Sequence, residues 1–574
     1  MLVCDYIRDF FIKKNIYDIF GYPGGMVTYL MDSISKKEII KLHTNYHEQA
    51  SSFAACSYAQ AGETTGVAYA TSGPGFTNLI TGIANAYFDS IPVIYITGQV
   101  NTYEAKNNSN MRQKGFQETE VIPICKSITK YAKKIIKAED IVYELEKAYF
   151  IANDGRKGPV LLDIPMNIQR TEIDINKCRI FHKTIDEYFV DYKKIALFIA
   201  NKIKKSLKPI IIVGAGVSKN NNIKRYFKKF IDEINIPVIS SMIGIDALET
   251  DNKNNMGFIG AYGHRYANFA VMKSDLVIVL GSRLDCRQTA SNRRNFAPEA
   301  EIIRIDIDEF EFENPIRDND NNIKADIEIL IKYFCNNNLV KTLDRHNKWR
   351  NYCTLLKEKL RDYDEEPANK FIKNFSELID ENAIITTDVG QNQVWVAQSF
   401  KIKKNQKVLF SGGLGSMGYS LPASIGAYYA TNKYIICFVG DGGLQMNIQE
   451  LQYIKENNLP IKIVVINNKS LGMIRHFQEM YFNSNFTQTK EQMGYSSPNF
   501  VKIAEAYGID SINFSIESDV NLLKKYLIND SPVLINVELS DTTYVFPKLA
   551  INKPINDQEP EMKRDLFNRL MKEI

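Results

Sequence analysis

The sequence predicts an α/β protein of three doubly wound domains, each built on a mainly parallel sheet. The length of 574 residues suggests three or four domains, each able to bury its own core. Short apolar runs alternate with helical stretches along the chain, and many of these runs end at glycine-rich or asparagine-rich turns. Strands that alternate with helices favour parallel pairing, which is the basis of the predicted fold class.

The most informative stretch runs from Tyr434 to Gly472. An apolar run at 434–439 is followed by Gly-Asp-Gly, and a second at 461–466 is followed by Asn-Asn. Apolar residues recur at helical spacing between the two runs, which indicates a strand–helix–strand unit. Open parallel sheets bind ligands outside the carboxyl ends of their strands, so chemistry is expected at both turns.

These turns predict a magnesium and diphosphate site. Asp441 offers a carboxylate oxygen and Asn468 an amide oxygen; with Ser470 they form the predicted metal set. Two side chains are too few for a calcium cage, but they suit Mg²⁺, which takes its other ligands from a diphosphate, water and a carbonyl. Gly442 and Gly443 remove side chains where a phosphate would approach backbone N–H groups. Two unrelated turns are the alternative interpretation.

The composition excludes several classes of protein. The chain is 45% apolar and 24% charged, and its net charge of +4 is dispersed, so neither nucleic acid nor a membrane surface is an expected partner. Eight scattered cysteines without metal spacing predict reduced thiols in a cytoplasmic protein. The first residues read as an amphipathic helix rather than a signal peptide, and no segment is apolar enough to span a membrane.

The predicted domains cover 1–170, 191–340 and 371–550, and a tail covers 551–574. A linker is predicted at 171–190 and a charged connecting helix within 341–370. The apolar face of the tail favours either a docked helix or a lid. Regions one and three show the same alternation of strands and helices, which makes duplication plausible without a sequence repeat. Strands are expected at Gly66–Thr71, Pro92–Thr97, Pro159–Ile164, Pro209–Val213, Pro237–Ser240, Asp275–Leu280 and Glu301–Ile305.

Four further stretches carry a family resemblance: FGYPGG at 20–25, HEQ at 47–49, the segment 71–98, and SGGLGSMGYSLP at 411–422. With the first stretch, they resemble the catalytic subunits of acetohydroxyacid (acetolactate) synthases, which are thiamin-diphosphate enzymes. The resemblance implies an N-terminal pyrimidine-binding domain, a Rossmann-like, FAD-binding-like central domain and a C-terminal diphosphate and Mg²⁺ domain. It also implies active sites between subunits of a homodimer or homotetramer, and leaves open a small regulatory subunit.

Glu48 is the predicted catalytic carboxylate. It lies in a sequence of apolar and small residues, so its helix is expected to be buried, and a buried carboxylate needs a partner. The resemblance implies that this partner is N1′ of the aminopyrimidine ring, whose imino tautomer then takes the C2 proton of the thiazolium. A surface carboxylate on a helix is the alternative.

Other cofactor contacts follow from the same resemblance. Met417 matches the apolar residue under the bent cofactor, and Gly415 matches the carbonyl that accepts from the 4′-amino group. Gln391 matches a diphosphate contact, while Asn392 departs from the usual histidine. Gly25 lies where the family brings backbone close to the reacting carbonyl.

A flavin site is expected in the central domain. Gly214 and Gly216 follow an apolar strand, but Lys219 stands where a dinucleotide fingerprint has its third glycine, so the motif alone is weak. The resemblance nevertheless implies FAD, although the two arginines could equally be structural, and Tyr262 replaces a histidine of the family. The matching residues are Arg156, Gly263, Arg283 and Asp306.

Three functions compete: carboligation of two 2-ketoacids, decarboxylation of a 2-ketoacid to an aldehyde, and binding without catalysis. Glu48, Asp441 and Asn468 are all present, which disfavours binding alone. Related decarboxylases supply a pair of histidines as proton donors, and the segment 98–118 contains none. Carboligation of pyruvate with a second 2-ketoacid is therefore the predicted reaction.

The acceptor site departs from the family. Arg287 matches the arginine that binds the second carboxylate, and Phe116 and Gln117 also match. Phe477 replaces a tryptophan that favours 2-ketobutyrate, and Ala261 replaces a methionine, so the site should be larger. A larger site leaves a second hypothesis open, in which a two-carbon unit passes from pyruvate to a keto-sugar nucleotide in surface-polysaccharide synthesis.

Overall fold

The computed structural model describes residues 1–107, 109–183 and 189–572. Three six-stranded, all-parallel sheets follow one another along the chain, and helices cover them, which confirms the predicted fold class. Part of the predicted linker and the last two residues of the tail lie outside the described residues. The predicted domain limits remain a prediction; each range contains one complete sheet.

The N-terminal sheet has the strand order β2-β1-β3-β4-β6-β5. Its strands are β1 (Asp18–Gly21), β2 (Lys41–Thr44), β3 (Gly66–Ala70), β4 (Val93–Gln99), β5 (Tyr131–Lys134) and β6 (Val160–Pro165). Its helices are α1 (Val3–Lys13), α2 (Thr28–Ser35), α3 (Glu48–Gly62), α4 (Pro74–Phe88), α5 (Val121–Cys125), α6 (Ile141–Asn153) and α7 (Met166–Gln169).

The central sheet has the order β12-β11-β10-β7-β8-β9, which is the strand order of a Rossmann fold. Its strands are β7 (Pro209–Val213), β8 (Val238–Ser240), β9 (Asn255–Phe258), β10 (Leu276–Leu280), β11 (Glu301–Asp306) and β12 (Asn321–Lys324). Its helices are α8 (Tyr192–Lys205), α9 (Ala215–Ser218), α10 (Asn221–Ile234), α11 (Arg265–Lys273), α12 (Cys286–Thr289) and α13 (Ile327–Asn337).

The C-terminal sheet has the order β14-β13-β15-β16-β18-β17, which repeats the topology of the N-terminal sheet strand for strand. Its strands are β13 (Ile384–Thr387), β14 (Lys407–Leu409), β15 (Ile435–Gly440), β16 (Ile461–Asn467), β17 (Asp510–Ser515) and β18 (Val533–Glu538). The helices α14 (Asn347–Leu360) and α15 (Pro367–Glu377) precede it, and its own helices are α16 (Gln391–Ser399), α17 (Ser420–Thr431), α18 (Asp441–Met446), α19 (Glu450–Glu456), α20 (Gly472–Tyr481), α21 (Phe500–Ala506) and α22 (Lys524–Leu527).

The helix predicted between the two turns of the first stretch is two helices, α18 and α19. Asn447 interrupts it, because the Asn447 side chain donates a 2.8 Å hydrogen bond to the carbonyl of Gly418 and its φ of −134° is not helical. Asparagine side chains often compete with helical bonding in this way. The break places the start of α19 against the N-terminal domain.

Helices α3 and α17 hold the first and third domains together. Both are rich in alanine, serine and glycine, and small residues let the helix backbones approach closely. At Gly426 an added Cβ would lie 1.9 Å from the carbonyl oxygen of Ala54, so only glycine fits there. Apolar residues of both domains consequently share one core.

The tail is a docked helix, one of its two predicted forms. A short hairpin, β19 (Lys548–Leu549) with β20 (Gln558–Glu559), leads to α23 (Arg564–Lys572). Tyr352 of α14 donates to the carbonyl of Leu570 at 2.7 Å, and the rings of Phe269 and Phe567 lie 5.2 Å apart. Among the described residues, no helix is long and apolar enough to cross a membrane.

Candidate active site

The predicted metal residues meet at the carboxyl edge of the C-terminal sheet. Strands β15 and β16 are neighbours, and Gly440 pairs with Ile466, so Asp441 and Asn468 leave adjacent strand ends. Both side chains are buried. Strand β13 ends on the other side of β15, where the strand order reverses, and such a switch point is where open sheets bind ligands.

The Asp441 carboxylate is held in a defined orientation. Burial raises the pKa of Asp441 to about 6, against hydrogen bonds from the Tyr495 hydroxyl and the backbone N–H groups of Gly442 and Ser470. Tyr495 donates to Oδ2 at 2.9 Å. A nearby cation would favour the ionised form of such a buried carboxylate, which is what a metal ligand requires.

Asn468 is oriented by Gln391. The Asn468 amide donates to Oε1 of Gln391 at 2.7 Å, and the Gln391 amide donates to the carbonyl of Thr543 at 3.1 Å. The Asn468 side-chain oxygen is the atom this arrangement leaves to a metal. Gln391 thus orients a predicted metal ligand, and its own diphosphate contact remains a prediction. Ser470 contributes its N–H to Asp441, and its hydroxyl donates to the carbonyl of Thr489 at 2.9 Å.

Gly442 and Gly443 are required by packing inside the protein. A Cβ on Gly443 would lie 2.6 Å from Oδ1 of Asp388, and a Cβ on Gly442 would lie 2.8 Å from Leu471. In the sequence, the approach of a phosphate is the reason for these glycines. The close carboxylate of Asp388 is an additional reason for Gly443, and no local sequence pattern indicates it.

Asp388 organises the loop that carries Met417. Its carboxylate accepts from the backbone N–H groups of Gly418 at 3.0 Å and Ser420 at 2.9 Å, and burial raises its pKa to about 7. Met417 in turn brings its methyl group within 3.2 Å of the Cβ position on Gly442. The apolar residue predicted to lie under a bent cofactor therefore does adjoin the Gly-Asp-Gly turn.

A cradle formed by Gly390, Gly440 and Asn392 adjoins the same turn. The buried side chain of Asn392 has its amide nitrogen, which can donate to a phosphate, 3.5 Å from the Cβ position on Gly390 and 3.4 Å from that on Gly440, and among the described residues its Oδ1 has no hydrogen-bond partner. Gly415 has a φ of +73° and open space around its Cβ position, so its backbone is accessible. Backbone, amide and carboxylate groups of this kind fit a magnesium diphosphate.

The N-terminal domain carries a second group of predicted residues. Glu48 is buried at the start of α3, accepts from the Asn78 amide at 2.9 Å, and adjoins the Cβ position of Gly75 at 3.3 Å. Gly25 follows β1, also at a switch point, and no atom of the described part of the chain lies within 4 Å of its Cβ position. These contacts link Glu48 to its own domain, while those of Asp441 link it to the C-terminal domain.

Phe116 and Gln117 lie at the rim of this group. Gln117 has a φ of +62°, and its Cβ is 2.9 Å from the Cβ position on Gly73, so the two turns touch. Phe116 is 79% exposed. An apolar side chain so exposed beside a candidate site is suited to contact with a substrate or another subunit.

The central domain contains a cavity of about 530 Å³ at the switch point between β7 and β10. Gly214, Gly216, Arg156, Arg283 and Asp306 line it. Of the predicted flavin residues, only Gly263 is absent from this lining. A Cβ there would lie 2.4 Å from the backbone of Ile259, so Gly263 serves a tight turn.

Charged groups in this cavity already have partners. Arg156 donates to Asp308 at 2.9 Å and pairs with Glu311. These ion pairs agree with the alternative interpretation, in which this arginine has a structural role. Arg283 is 3.8 Å from Asp285 and remains partly exposed, so it is the freer of the two arginines. Burial raises the pKa of Asp306, which lies at the carboxyl end of β11.

Three of the predicted acceptor residues, Ala261, Arg287 and Phe477, are connected by a chain of contacts, whereas Phe116 and Gln117 belong to the group around Glu48. Ala261 donates its N–H to the carbonyl of Arg287 at 2.7 Å, and both residues line the cavity of the central domain. The hairpin strand β19 connects them to Phe477: Leu549 donates to the carbonyl of Ala261 at 2.7 Å, and the Lys548 ammonium is 5.9 Å from the Phe477 ring. The roles of these residues remain predictions.

Comparison with known proteins agrees with this architecture. The N-terminal, central and C-terminal domain models of thiamine pyrophosphate enzymes match residues 1–124, 198–333 and 388–537. The chain is 36% identical over 541 residues to the acetolactate synthase large subunit of Lactococcus lactis, which covers 92% of the chain and 91% of that protein.

Two other relatives are of similar length. A probable acetolactate synthase large subunit of Methanocaldococcus jannaschii is 35% identical over 586 residues, covering 97% of the chain and 96% of that protein. The acetolactate synthase isozyme 2 large subunit of Escherichia coli is 32% identical over 541 residues, covering 93% and 95%. The chain therefore belongs to the acetolactate synthase large-subunit family of thiamine pyrophosphate enzymes.

Proposed function

We propose that the protein is an acetolactate synthase-like carboligase, which decarboxylates pyruvate and joins the remaining two-carbon unit to a second 2-ketoacid. The observation that carries the proposal is the pair of buried oxygen ligands, Asp441 and Asn468, at adjacent strand ends. They occur in a chain that also buries Glu48 at the start of a helix.

Thiamin diphosphate and Mg²⁺ are the proposed cofactors. Asp441 and Asn468 would hold the metal, the cradle of Gly390, Gly440 and Asn392 would receive the diphosphate, and Met417 would lie under the rings. When bound, thiamin diphosphate supplies the nucleophile and the electron sink for decarboxylation. Glu48 would hold the proton on the pyrimidine nitrogen, and its bond from Asn78 keeps the carboxylate in one orientation.

The chain favours carbon–carbon bond formation over release of an aldehyde. The segment 98–118 contains no histidine, so it lacks that proton donor. Arg287 is exposed and lines the cavity, where its guanidinium could bind the carboxylate of a second ketoacid.

We propose FAD as a third cofactor, held in the cavity of the central domain. Its position at the switch point is where doubly wound sheets bind nucleotides, and Asp306 could bind a ribose. We expect purified protein to show a flavin absorption spectrum, or to gain one when FAD is added. Arg283→Ala should weaken that uptake without unfolding the protein, because Arg283 is partly exposed and its ion pair with Asp285 is long, at 3.8 Å.

The second candidate function is transfer to a keto-sugar nucleotide. Ala261 and Arg287 line the same cavity, and Phe477 is 42% exposed, which is consistent with a larger acceptor. Arg287 would then bind the diphosphate of the sugar nucleotide, since a guanidinium can donate two parallel hydrogen bonds to a phosphate as well as to a carboxylate.

We further propose a homodimer or homotetramer with active sites between subunits. Glu48 and Asp441 lie in different domains of one chain, and a second copy could bring its own Glu48 face to the metal face. Since relatives are named large subunits, a small regulatory subunit is a further proposed partner.

Product analysis tests the function. Purified protein receives pyruvate, thiamin diphosphate and Mg²⁺, first alone and then with 2-ketobutyrate or a 4-keto-sugar nucleotide as competitor. Efficient acetolactate formation without a sugar product supports the main proposal, and a sugar product supports the second. Acetaldehyde as the main product would contradict both proposed reactions. If the protein did not consume pyruvate, the proposal that it is a pyruvate-using enzyme would be wrong.

A further inference from the structure

We infer that Tyr495 is a positioning residue of the metal site, which selects the Asp441 oxygen that faces the metal. This inference rests on the proposed Mg²⁺ and thiamin diphosphate. The Tyr495 hydroxyl donates to Oδ2 of Asp441 at 2.9 Å, across 54 residues of sequence. That bond engages Oδ2 and restricts rotation of the carboxylate, so Oδ1 is the oxygen that we assign to the cation.

The hydroxyl of Tyr495 is suited to this task because a phenol is a neutral hydrogen-bond donor, whereas the Asp441 carboxylate accepts. Partners that orient a metal ligand in this way commonly change metal affinity when they are removed.

The segment that carries Tyr495 is bound to the turn that follows Asn468. Leu471 donates its N–H to the carbonyl of Thr489 at 2.9 Å, and Ser470 forms a bridge with Lys490. The N–H of Tyr495 donates to the carbonyl of Lys490 at 3.3 Å, which returns the chain to the site. The residues after Asn468 thus hold the segment that orients Asp441.

Tyr495 also borders the Gly-Asp-Gly turn. Its hydroxyl oxygen lies 3.3 Å from the Cβ position on Gly442, and the methyl group of Met417 lies 3.2 Å from the same position. The Tyr495 hydroxyl therefore contacts Asp441, the proposed metal ligand, and also covers one side of the Gly-Asp-Gly turn, against which Met417 packs.

The test is Mg²⁺ titration by calorimetry at saturating thiamin diphosphate, with Tyr495→Phe compared to wild type. We expect affinity for Mg²⁺ to fall about 10- to 100-fold, because the variant loses only the bond that orients Asp441. Tyr131→Phe is the matched control: it removes a tyrosine–carboxylate bond to Glu144 in the N-terminal domain, and should bind Mg²⁺ as wild type does.

Activity gives a second readout that a general loss of stability would not produce. Raising Mg²⁺ should restore the kcat of Tyr495→Phe close to that of wild type, with the Mg²⁺ requirement shifted by the same factor. Wild-type Mg²⁺ affinity in Tyr495→Phe, or a kcat that Mg²⁺ does not restore, would overturn the role of Tyr495. If wild type itself bound neither Mg²⁺ nor thiamin diphosphate, the proposed function would fail and this inference with it.

Discussion

The buried carboxylate of Glu450 accepts a hydrogen bond from the side-chain amide of Asn45 at 2.9 Å. Its second oxygen accepts from the N–H of Tyr46 at 2.8 Å. Glu450 begins α19, the helix that follows α18 and its first residue Asp441, whereas Asn45 and Tyr46 precede Glu48 by three and two residues. One carboxylate therefore fixes the start of the Glu48 helix relative to α19.

Glu450→Gln should destabilise the protein, because one of the Gln hydrogens would face a donor from Asn45 or Tyr46. The expected loss is about 1–3 kcal/mol, the cost of an unsatisfied buried polar group. Chemical denaturation followed by circular dichroism measures it. Glu505→Gln, at an exposed position of α21, is the control and should leave stability unchanged.

The free energy of unfolding should depend on pH differently in wild type and in Glu450→Gln. Burial raises the pKa of Glu450 from 4.5 to about 7, although Asn45 and the N–H groups of Tyr46 and His47 oppose the shift. A raised carboxyl pKa contributes stability that is complete below about 4.5 and is lost as the pH rises through about 7. The stability of wild type relative to Glu450→Gln should therefore fall over this window, and a constant difference would contradict the assignment.

Glu48→Gln should retain the fold and much of the cofactor affinity but lose at least about 100-fold in turnover, since a neutral amide cannot hold the pyrimidine proton. Acetolactate formation at saturating cofactor measures the effect. Glu38→Gln, at an exposed position of the same domain, should behave as wild type. Near-normal turnover of Glu48→Gln would remove this carboxylate from the mechanism.

Gly443→Ala should destabilise the C-terminal domain, because the new methyl group would lie 2.6 Å from the Asp388 carboxylate. Overpacking of this kind costs about 1–3 kcal/mol and should also displace the Met417 loop that Asp388 holds. Thermal unfolding measures the first effect and thiamin diphosphate affinity the second. Gly25→Ala has open space around its methyl group and should unfold at the wild-type temperature; equal unfolding temperatures for both variants would contradict the steric argument.

Phe477→Trp should restore selectivity for 2-ketobutyrate. Phe477 is partly exposed and its ring lies 4.8 Å from that of Tyr481, so a larger ring can be added without disturbing a core. The contact of one methylene group with an apolar pocket contributes about 1–3 kcal/mol to discrimination between substrates. We therefore expect a roughly 10-fold shift in the ratio of products formed from mixed ketoacids. Phe189→Trp, which is also exposed, should leave the ratio unchanged; an unchanged ratio in Phe477→Trp would contradict the role of this residue.

Much of the architecture could be predicted from the sequence because its signals are local. The buried strands of each sheet are continuous apolar runs, and β7 was predicted to the residue at Pro209–Val213. The Gly-Asp-Gly and Asn-Asn turns follow two such runs directly, so their meeting at one sheet edge is a consequence of parallel pairing. Short strands such as β2 and β12 carry charged and polar residues and had no comparable signal.

Only the tertiary structure decided which side chains support the site. Asp388, Glu450 and Tyr495 lie in ordinary polar sequence, and their partners are 30, 405 and 54 residues away. No periodicity relates such residues, since a hydrogen bond between separate elements depends on how whole helices and sheets pack. The sequence alone thus determined the three sheets and the residues at their edges, whereas the orientation of Asp441 and the start of the Glu48 helix depend on contacts that form only when the domains assemble.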